Sequence, residues 1–133
     1  MEKKVEKTIV LLVDDEASFL EMMKERLGAW GYACLTATSG RKALELIKHK
    51  KVHLVVLDYI MPEMDGLAVL KEIRKEKKKL PVILFTAHPS EKALQDAKKL
   101  FVSAFVPKLS SRVDVQTSLK AALALAVAQH KQK

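Results

Sequence analysis

The chain has 133 residues, with 24 Lys and Arg against 16 Asp and Glu, which gives a formal net charge of +8 at pH 7. With 49% hydrophobic and 30% charged residues, this length suits a single globular domain. No apolar run approaches the ~20 residues needed to cross a bilayer, the lysine-rich start lacks a secretory signal, and the single cysteine excludes an internal disulfide. We therefore expect one cytoplasmic domain over residues 1–133.

Short apolar runs alternate with amphipathic segments along the chain. This alternation is typical of a parallel sheet with helices on both faces. The sequence predicts strands at about 8–13, 32–37, 53–57, 81–86 and 103–106. It predicts helices at about 16–29, 40–49, 65–76, 90–100 and 111–130. The simplest arrangement is an α/β, doubly wound (βα)5 flavodoxin-like sandwich whose parallel strands follow the order 2-1-3-4-5.

Two helices carry apolar stripes at helical spacing. In the first helix, the residues predicted to pack in the core are Phe19, Met23, Leu27 and Trp30. In the last helix, they are Val115, Leu119, Leu123 and Val127. The opposite side of the last helix is also nearly uncharged, and its candidate interface residues are Ala121, Ala124, Leu125 and Ala128. The apolar character of that side favours a docking or homodimer surface formed with helix 4 and strand 5. The alternative is that alanine is present there only as a strong helix former.

Acidic residues end two of the predicted strands. Asp14 and Asp15 follow the first apolar run, and Asp58 follows the third. Parallel strands deliver their carboxyl ends to one edge of a sheet, so the three carboxylates should meet there. Thr86 ends the fourth run and Lys108 follows the fifth, which adds a hydroxyl and an ammonium to the same edge.

A cluster of three ionised carboxylates needs a counter-charge, because like charges ~4 Å apart repel by roughly 4 kcal/mol per pair. Mg²⁺ is the expected partner, since it prefers oxygen ligands and commonly bridges carboxylates to phosphate oxygens. With the metal bound, one aspartate can attack phosphorus, while Thr86 and Lys108 donate to the phosphate oxygens. Any one of the acids alone fits an ordinary helix N-cap, but all five residues together favour phosphoryl chemistry.

Two stretches carry a resemblance to a known family. Asp14-Asp15-Glu16 is an acidic opening, and the stretch from Asp58 to Gly66 matches an Asp-x-x-Met-Pro-x-Met-Asp-Gly signature. Together they resemble the receiver domain of two-component response regulators. The stretch from Leu80 to Ala87 and the later lysine extend the resemblance across nearly the whole chain, which is similar to the single-domain receivers of chemotaxis and sporulation.

The resemblance implies the roles at the acidic site. Asp58 is the phosphoacceptor, Asp15 ligates Mg²⁺ directly, Asp14 acts through water, and the backbone carbonyl of Ile60 completes the protein ligands. Mn²⁺ is a substitute metal, and no other cofactor is implied. In this family, the side chains two positions after the acceptor and after the switch threonine influence dephosphorylation, which here are Ile60 and His88.

The resemblance also implies a switch. Thr86 is the switch hydroxyl, Lys108 contacts the phosphoryl oxygens, and Phe105 holds the aromatic switch position. One departure concerns the lysine, which family members usually follow with a proline in a cis bond. Here Pro107 precedes Lys108 and Leu109 follows it.

The function implied is a signalling switch in a phosphorelay. A histidine kinase or a phosphotransfer protein donates the phosphoryl group, and the chain then changes its affinity for a protein target. It is not an enzyme in the usual sense, because it catalyses only its own phosphorylation and dephosphorylation. No output domain follows helix 5, so we expect a stand-alone receiver; the alternative is a receiver excised from a longer response regulator or hybrid kinase.

Other function classes lack their required residues. A haloacid-dehalogenase-like phosphatase carries a second acid two residues after its nucleophile, where Ile60 stands. A dinucleotide-binding domain needs Gly-x-Gly-x-x-Gly after strand 1, which is absent. Nucleic-acid binding has only the lysines for support.

The lysines occur in groups that precede strands or end helices, and we expect them at the edge opposite the acids. The groups are Lys3, Lys4 and Lys7; Lys48, Lys50 and Lys51; Arg74, Lys75 and Lys77–Lys79; and Lys131 and Lys133. Such an edge can hold a polyanion or an acidic protein surface. It can equally consist of solvated loops and helix C-termini that complement the helix dipoles.

Overall fold

The computed structural model describes residues 7–59, 61, 64–86, 90–107 and 112–131. Its strands are β1 (Ile9–Val13), β2 (Ala33–Ala37), β3 (Leu54–Asp58), β4 (Val82–Thr86) and β5 (Ala104–Pro107). Its helices are α1 (Ala17–Ala29), α2 (Gly40–His49), α3 (Gly66–Glu76), α4 (Glu91–Lys99) and α5 (Arg112–Lys131). Every bound lies within one residue of the sequence prediction.

The strands form one parallel sheet in the order β2-β1-β3-β4-β5. The predicted doubly wound, flavodoxin-like fold is therefore confirmed. Every residue of β3 and β4 is buried, whereas β2 at the sheet edge is mostly half-buried. The continuous apolar runs of the inner strands follow from this burial on both faces.

Alternate residues of the strands divide the core into two layers, because successive side chains point to opposite faces of a sheet. The layer against α1 and α5 takes its strand side chains from Val10, Leu12, Leu54, Val56, Ile83, Phe85 and Val106. The layer against α2, α3 and α4 takes them from Leu11, Val13, Val55, Leu57, Val82 and Leu84.

Four helices begin one residue later than predicted, and α1, α3 and α4 do so for a common reason. The predicted first residues Glu16, Asp65 and Ser90 have extended backbone and occupy N-cap positions. The Asp65 side chain accepts from the Ala68 N–H at 2.8 Å, and the Ser90 hydroxyl accepts from the Ala93 N–H at 3.1 Å. These side chains satisfy backbone donors that have no partner within the helix.

Helix α1 presents its predicted stripe to the core. Met23 and Leu27 are buried, and Phe19 and Trp30 pack half-buried against the same layer. Leu20, which lies beside the stripe, is buried as well. Cys34 of β2 is a half-buried free cysteine at the edge of this layer, and burial raises the pKa of its thiol.

Helix α5 buries a broader face than predicted. Leu119 and Leu123 are buried and Val127 is half-buried; the side chain of Val115 lies outside the described residues. Alanines complete the buried face at Ala122 and Ala126. The exposed residues on the other side are those predicted, namely Ala121, Ala124, Leu125 and Ala128. No helix in the described part of the chain is long and apolar enough to span a bilayer.

Lysines collect at the amino ends of the strands. Lys50 and Lys51 lie between α2 and β3, and Lys77–Lys79 lie between α3 and β4. This edge is opposite the one where the acids follow β1 and β3, as predicted. The predicted members that lie outside the described residues are Lys3, Lys4 and Lys133.

Arg74 differs from these lysines because backbone carbonyls bind its guanidinium. Its Nε donates to the Leu100 carbonyl at 2.7 Å, and its Nη2 donates to the Phe101 carbonyl at 3.1 Å. Its Nη1 donates to the carbonyls of Leu80 at 2.8 Å and Lys77 at 3.2 Å. Arg74 therefore ties the α3–β4 turn to the end of α4, and burial lowers its pKa.

Phe101 follows α4 in an unusual conformation. Its φ is 57°, a left-handed backbone that costs a residue with a side chain about 1–2 kcal/mol. The Phe101 N–H donates to the Lys98 carbonyl, and the Val102 N–H donates to the Ala97 carbonyl, which is the Schellman pattern usually completed by glycine. The phenylalanine is 78% exposed.

Candidate functional site

Three carboxylates lie together where β1 and β3 end. Asp14, Asp15 and Asp58 each offer one carboxylate oxygen, and the three oxygens lie within 4.8 Å of one another. Asp14 is 2% exposed and Asp58 is 6% exposed, whereas Asp15 is open to solvent. The cluster thus has two buried acids and one at its mouth.

The pairing of β1 with β3 brings these acids together. β1 pairs with β3 in parallel, so Asp14, which follows β1, lies beside Asp58, the last residue of β3. The Asp14 N–H donates to the Ala37 carbonyl at 3.1 Å, and Asp14 Oδ1 accepts from the Glu16 N–H at 2.9 Å. These bonds fix the direction of the first carboxylate and turn the chain into α1.

A glycine allows the start of α3 to lie against the end of β3. The Gly66 N–H donates to the Tyr59 carbonyl at 2.8 Å. A Cβ atom on Gly66 would overlap the Asp58 carbonyl oxygen and would lie 2.8 Å from Tyr59 Cα. The preceding Asp65 caps α3. The sequence marks Asp65 and Gly66 only as parts of a signature, whereas in the structure Asp65 caps α3 and Gly66 permits close packing against β3.

Thr86 lies at the same edge of the sheet. It ends β4, is fully buried, and occupies the strand next to that of Asp58. Residues two apart on a strand share a face, so Thr86 shares the face of Leu84, whose partner on β5 is Phe105. Thr86 and Phe105 are therefore diagonal neighbours on one face, and Phe105 is half-buried there.

The cluster fits a hard divalent cation. Unit charges at this spacing repel by roughly 3–4 kcal/mol per pair at an effective dielectric near 20. Carboxylates supply the acceptor-only oxygens that Mg²⁺ prefers, and the exposed position of Asp15 leaves room for the waters that Mg²⁺ retains. Asp14, Asp15 and Asp58 are thus suited to hold such an ion.

Little free space lies beside the two buried acids of the cluster. A cavity of about 10 Å³ lies there, lined by both buried aspartates and by apolar side chains that include Leu12, Phe19 and Met23. That volume holds at most one water. A phosphoryl group does not fit into this cavity, whereas Asp15 of the same cluster is exposed to solvent.

Comparison with known proteins identifies the family. Residues 10–120 match the family described as the response regulator receiver domain. The chain belongs to this family. Receiver domains are phosphoacceptor signalling domains of two-component systems; they bind Mg²⁺ at an acidic pocket and interact with histidine kinases and downstream targets.

Individual proteins show the same likeness. This receiver domain is 36% identical over 115 residues to the transcriptional regulatory protein ZraR of Escherichia coli K12, which covers 86% of this chain and 26% of ZraR. Response regulator TrrA of Thermotoga maritima, solved with Mg²⁺ and BeF, has a TM-score of 0.74 and 34% identity, and the match covers 86% of this chain and 98% of TrrA. CheY4 of Vibrio cholerae has a TM-score of 0.79 and 26% identity, with 88% and 99% covered. The receiver domain thus spans about a quarter of ZraR.

Three residues predicted for the site lie outside the described residues of the receiver domain. They are Ile60, His88 and Lys108. Pro107, which precedes Lys108 in the sequence, ends β5 and pairs with Thr86. The roles of these three residues stay predictions.

Proposed function

We propose that this receiver domain accepts a phosphoryl group on Asp58 and then changes its affinity for a protein target. The donor is a histidine kinase or a phosphotransfer protein in the cytoplasm. The observation that carries the proposal is the convergence of the Asp14, Asp15 and Asp58 oxygens within 4.8 Å. Asp58 is the best acceptor of the three, because it belongs to a central strand and lies on the strand next to Thr86.

The proposed transfer forms a P–O bond to an Asp58 carboxylate oxygen. The P–N bond of the phosphohistidine donor breaks, and the leaving imidazole takes up a proton. Asp14 and Asp15 would hold Mg²⁺, or Mn²⁺ in its place, and the bound metal would supply positive charge to the phosphoryl oxygens. The Ile60 carbonyl and the Lys108 ammonium complete the site by resemblance to the family.

The proposed switch uses the diagonal contact between β4 and β5. A phosphoryl group on Asp58 adds an acceptor next to β4, and the Thr86 hydroxyl moves to donate to it. That movement vacates space on the face that Thr86 shares with Phe105, so the Phe105 ring turns inward. Phe105 lacks a hydroxyl that must be satisfied in either rotamer, which keeps the energy gap between the two states small.

Acetyl phosphate provides the test of the proposed function. We expect incubation with acetyl phosphate and Mg²⁺ to add one phosphoryl group, seen by intact mass spectrometry, and chelation of the metal to prevent the addition. Beryllofluoride with Mg²⁺ should shift the amide resonances of Thr86 and Phe105. No adduct under these conditions, or an adduct independent of metal, would contradict the proposal.

The surface for the target is proposed on α4, β5 and α5. Leu125 of α5 is 65% exposed, and alanines surround it at Ala121, Ala124 and Ala128. An apolar face of this kind suits a protein partner or a second copy of the chain. Because the chain spans about a quarter of ZraR, a partner domain in a longer regulator is the alternative occupant.

Leu125→Glu tests this surface through self-association. With Mg²⁺ and beryllofluoride present, the variant should dimerise about tenfold or more weakly, because a leucine contact is lost and a charge is buried. Sedimentation velocity measures the dimer. Lys42→Glu on exposed α2 introduces the same side chain elsewhere and should leave association unchanged. An unaltered dimer of folded Leu125→Glu would refute this site.

A further inference from the structure

Two turns at the edge opposite the acids form one surface patch. We define the lysine–phenylalanine patch as Lys77, Lys78 and Lys79 of the α3–β4 turn with Lys98, Lys99 and Phe101 at the end of α4. Arg74 establishes that the two turns are adjacent, because its guanidinium donates to the carbonyls of both Lys77 and Phe101. All six members of the patch are exposed.

The patch is strongly positive. Within the described part of the chain, none of its five lysines forms an ion pair. The neighbouring acid Glu72 is paired with Lys75 at 2.7 Å, which leaves Glu76 as the acid in the same segment. The five lysines and Phe101 are therefore all exposed to solvent on the same two adjacent turns.

Phe101 is the feature that folding does not explain. Its ring is largely exposed, and its left-handed backbone disfavours any residue with a side chain. Glycine in this turn would avoid both the disfavoured backbone conformation and the exposure of an aromatic ring. An exposed ring on a disfavoured backbone is expected where the ring contacts something outside the domain.

The combination of many lysines with one exposed aromatic ring favours one class of partner. Protein interfaces are depleted in lysine, and single-stranded nucleic acids are bound by several stacking rings. Here lysines predominate, and the patch has a single ring. One exposed ring on turns rich in lysine matches an anionic bilayer surface, where the ring enters the headgroup region and the ammonium groups stay with the lipid phosphates.

We propose that the lysine–phenylalanine patch docks this receiver domain on membranes that contain anionic phospholipids. The strands of five residues separate the patch from the carboxylate cluster by about 16 Å. That distance is about two Debye lengths at physiological ionic strength, so the acids do not cancel the attraction of the lysines. Docking orients Asp14, Asp15 and Asp58 away from the bilayer, where a phosphodonor reaches them.

Vesicle co-sedimentation tests the proposal. The protein should bind vesicles of phosphatidylcholine mixed with phosphatidylglycerol, should not bind phosphatidylcholine alone, and should dissociate as salt is added. Phe101→Gly should weaken binding about tenfold or more. The same variant should melt at an equal or higher temperature because glycine tolerates the left-handed backbone, so a loss of binding cannot come from unfolding.

Further variants separate charge from apolar contact. Replacing two lysines together, Lys78→Gln with Lys79→Gln, should weaken binding about 30-fold. Lys42→Gln removes one exposed lysine of α2, outside the patch, and should bind like the parent protein. Unchanged binding of Phe101→Gly, equal binding to neutral vesicles, or tighter binding to polyglutamate or to a single-stranded oligonucleotide would each overturn the proposal.

Discussion

Asp58→Asn should abolish formation of the acyl phosphate. An amide is a poor nucleophile, and the substitution also removes one of the three carboxylate charges proposed to hold the metal. We expect the rate of phosphorylation by acetyl phosphate to fall at least about a hundredfold, a rise of about 2.7 kcal/mol in the barrier. Intact mass spectrometry over a time course measures the adduct.

Two other aspartates serve as comparisons. Asp15→Asn keeps the proposed nucleophile, so phosphorylation should recover at high Mg²⁺ concentration, and a Mg²⁺ titration should show the weakened affinity. Asp96→Asn alters an aspartate that pairs with Lys92 on α4, far along the chain from the cluster, and should behave like the parent protein. A phosphorylated Asp58→Asn protein at normal yield would assign the acceptor role elsewhere.

Gly66→Ala should be the most destabilising single-methyl change in the site. The added Cβ would collide with the backbone of Asp58 and Tyr59, which cannot rotate away as a flexible side chain would. Relief requires the loop to move, so we expect a loss of about 2–4 kcal/mol in the free energy of unfolding. Mg²⁺ affinity should fall as well, because the displaced segment carries Asp58. Chemical denaturation and a Mg²⁺ titration measure the two effects.

Gly28→Ala is the matched control for this substitution. Gly28 lies in α1, and a Cβ atom there would meet no atom within 4 Å. Alanine is the better helix former, so this variant should gain about 0.5–1 kcal/mol. If Gly66→Ala were as stable as the parent protein, the close approach of the loop to β3 would be wrong.

The sequence predicts the fold closely because its signals are local and repeated. Apolar runs of strand length alternate with amphipathic helices, so the bounds follow to within one residue. The acidic cluster follows as well, because Asp14, Asp15 and Asp58 end strands that a doubly wound sheet places side by side. Predicting the cluster requires only that the residues at the strand ends are identified, and it requires no side-chain geometry.

Features that depend on contacts between distant segments could not be predicted. The hydrogen bonds of Arg74 reach carbonyls up to 27 residues away, and nothing near it in the sequence distinguishes it from the adjacent lysines. Phe101 occupies a turn position where local preference favours glycine. Ala122 and Ala126 are buried, although alanine alone does not indicate which side of α5 faces the core.

The Arg74 hydrogen bonds have a mechanical consequence for α4. They hold the carbonyls of Leu100 and Phe101 at the carboxyl end of the helix, while its amino end starts shortly after Thr86. A helix that is held at one end and displaced at the other pivots about the held end. In the proposed switch, we therefore expect α4 to pivot about the end that Arg74 holds, so that the helix would tilt and not slide.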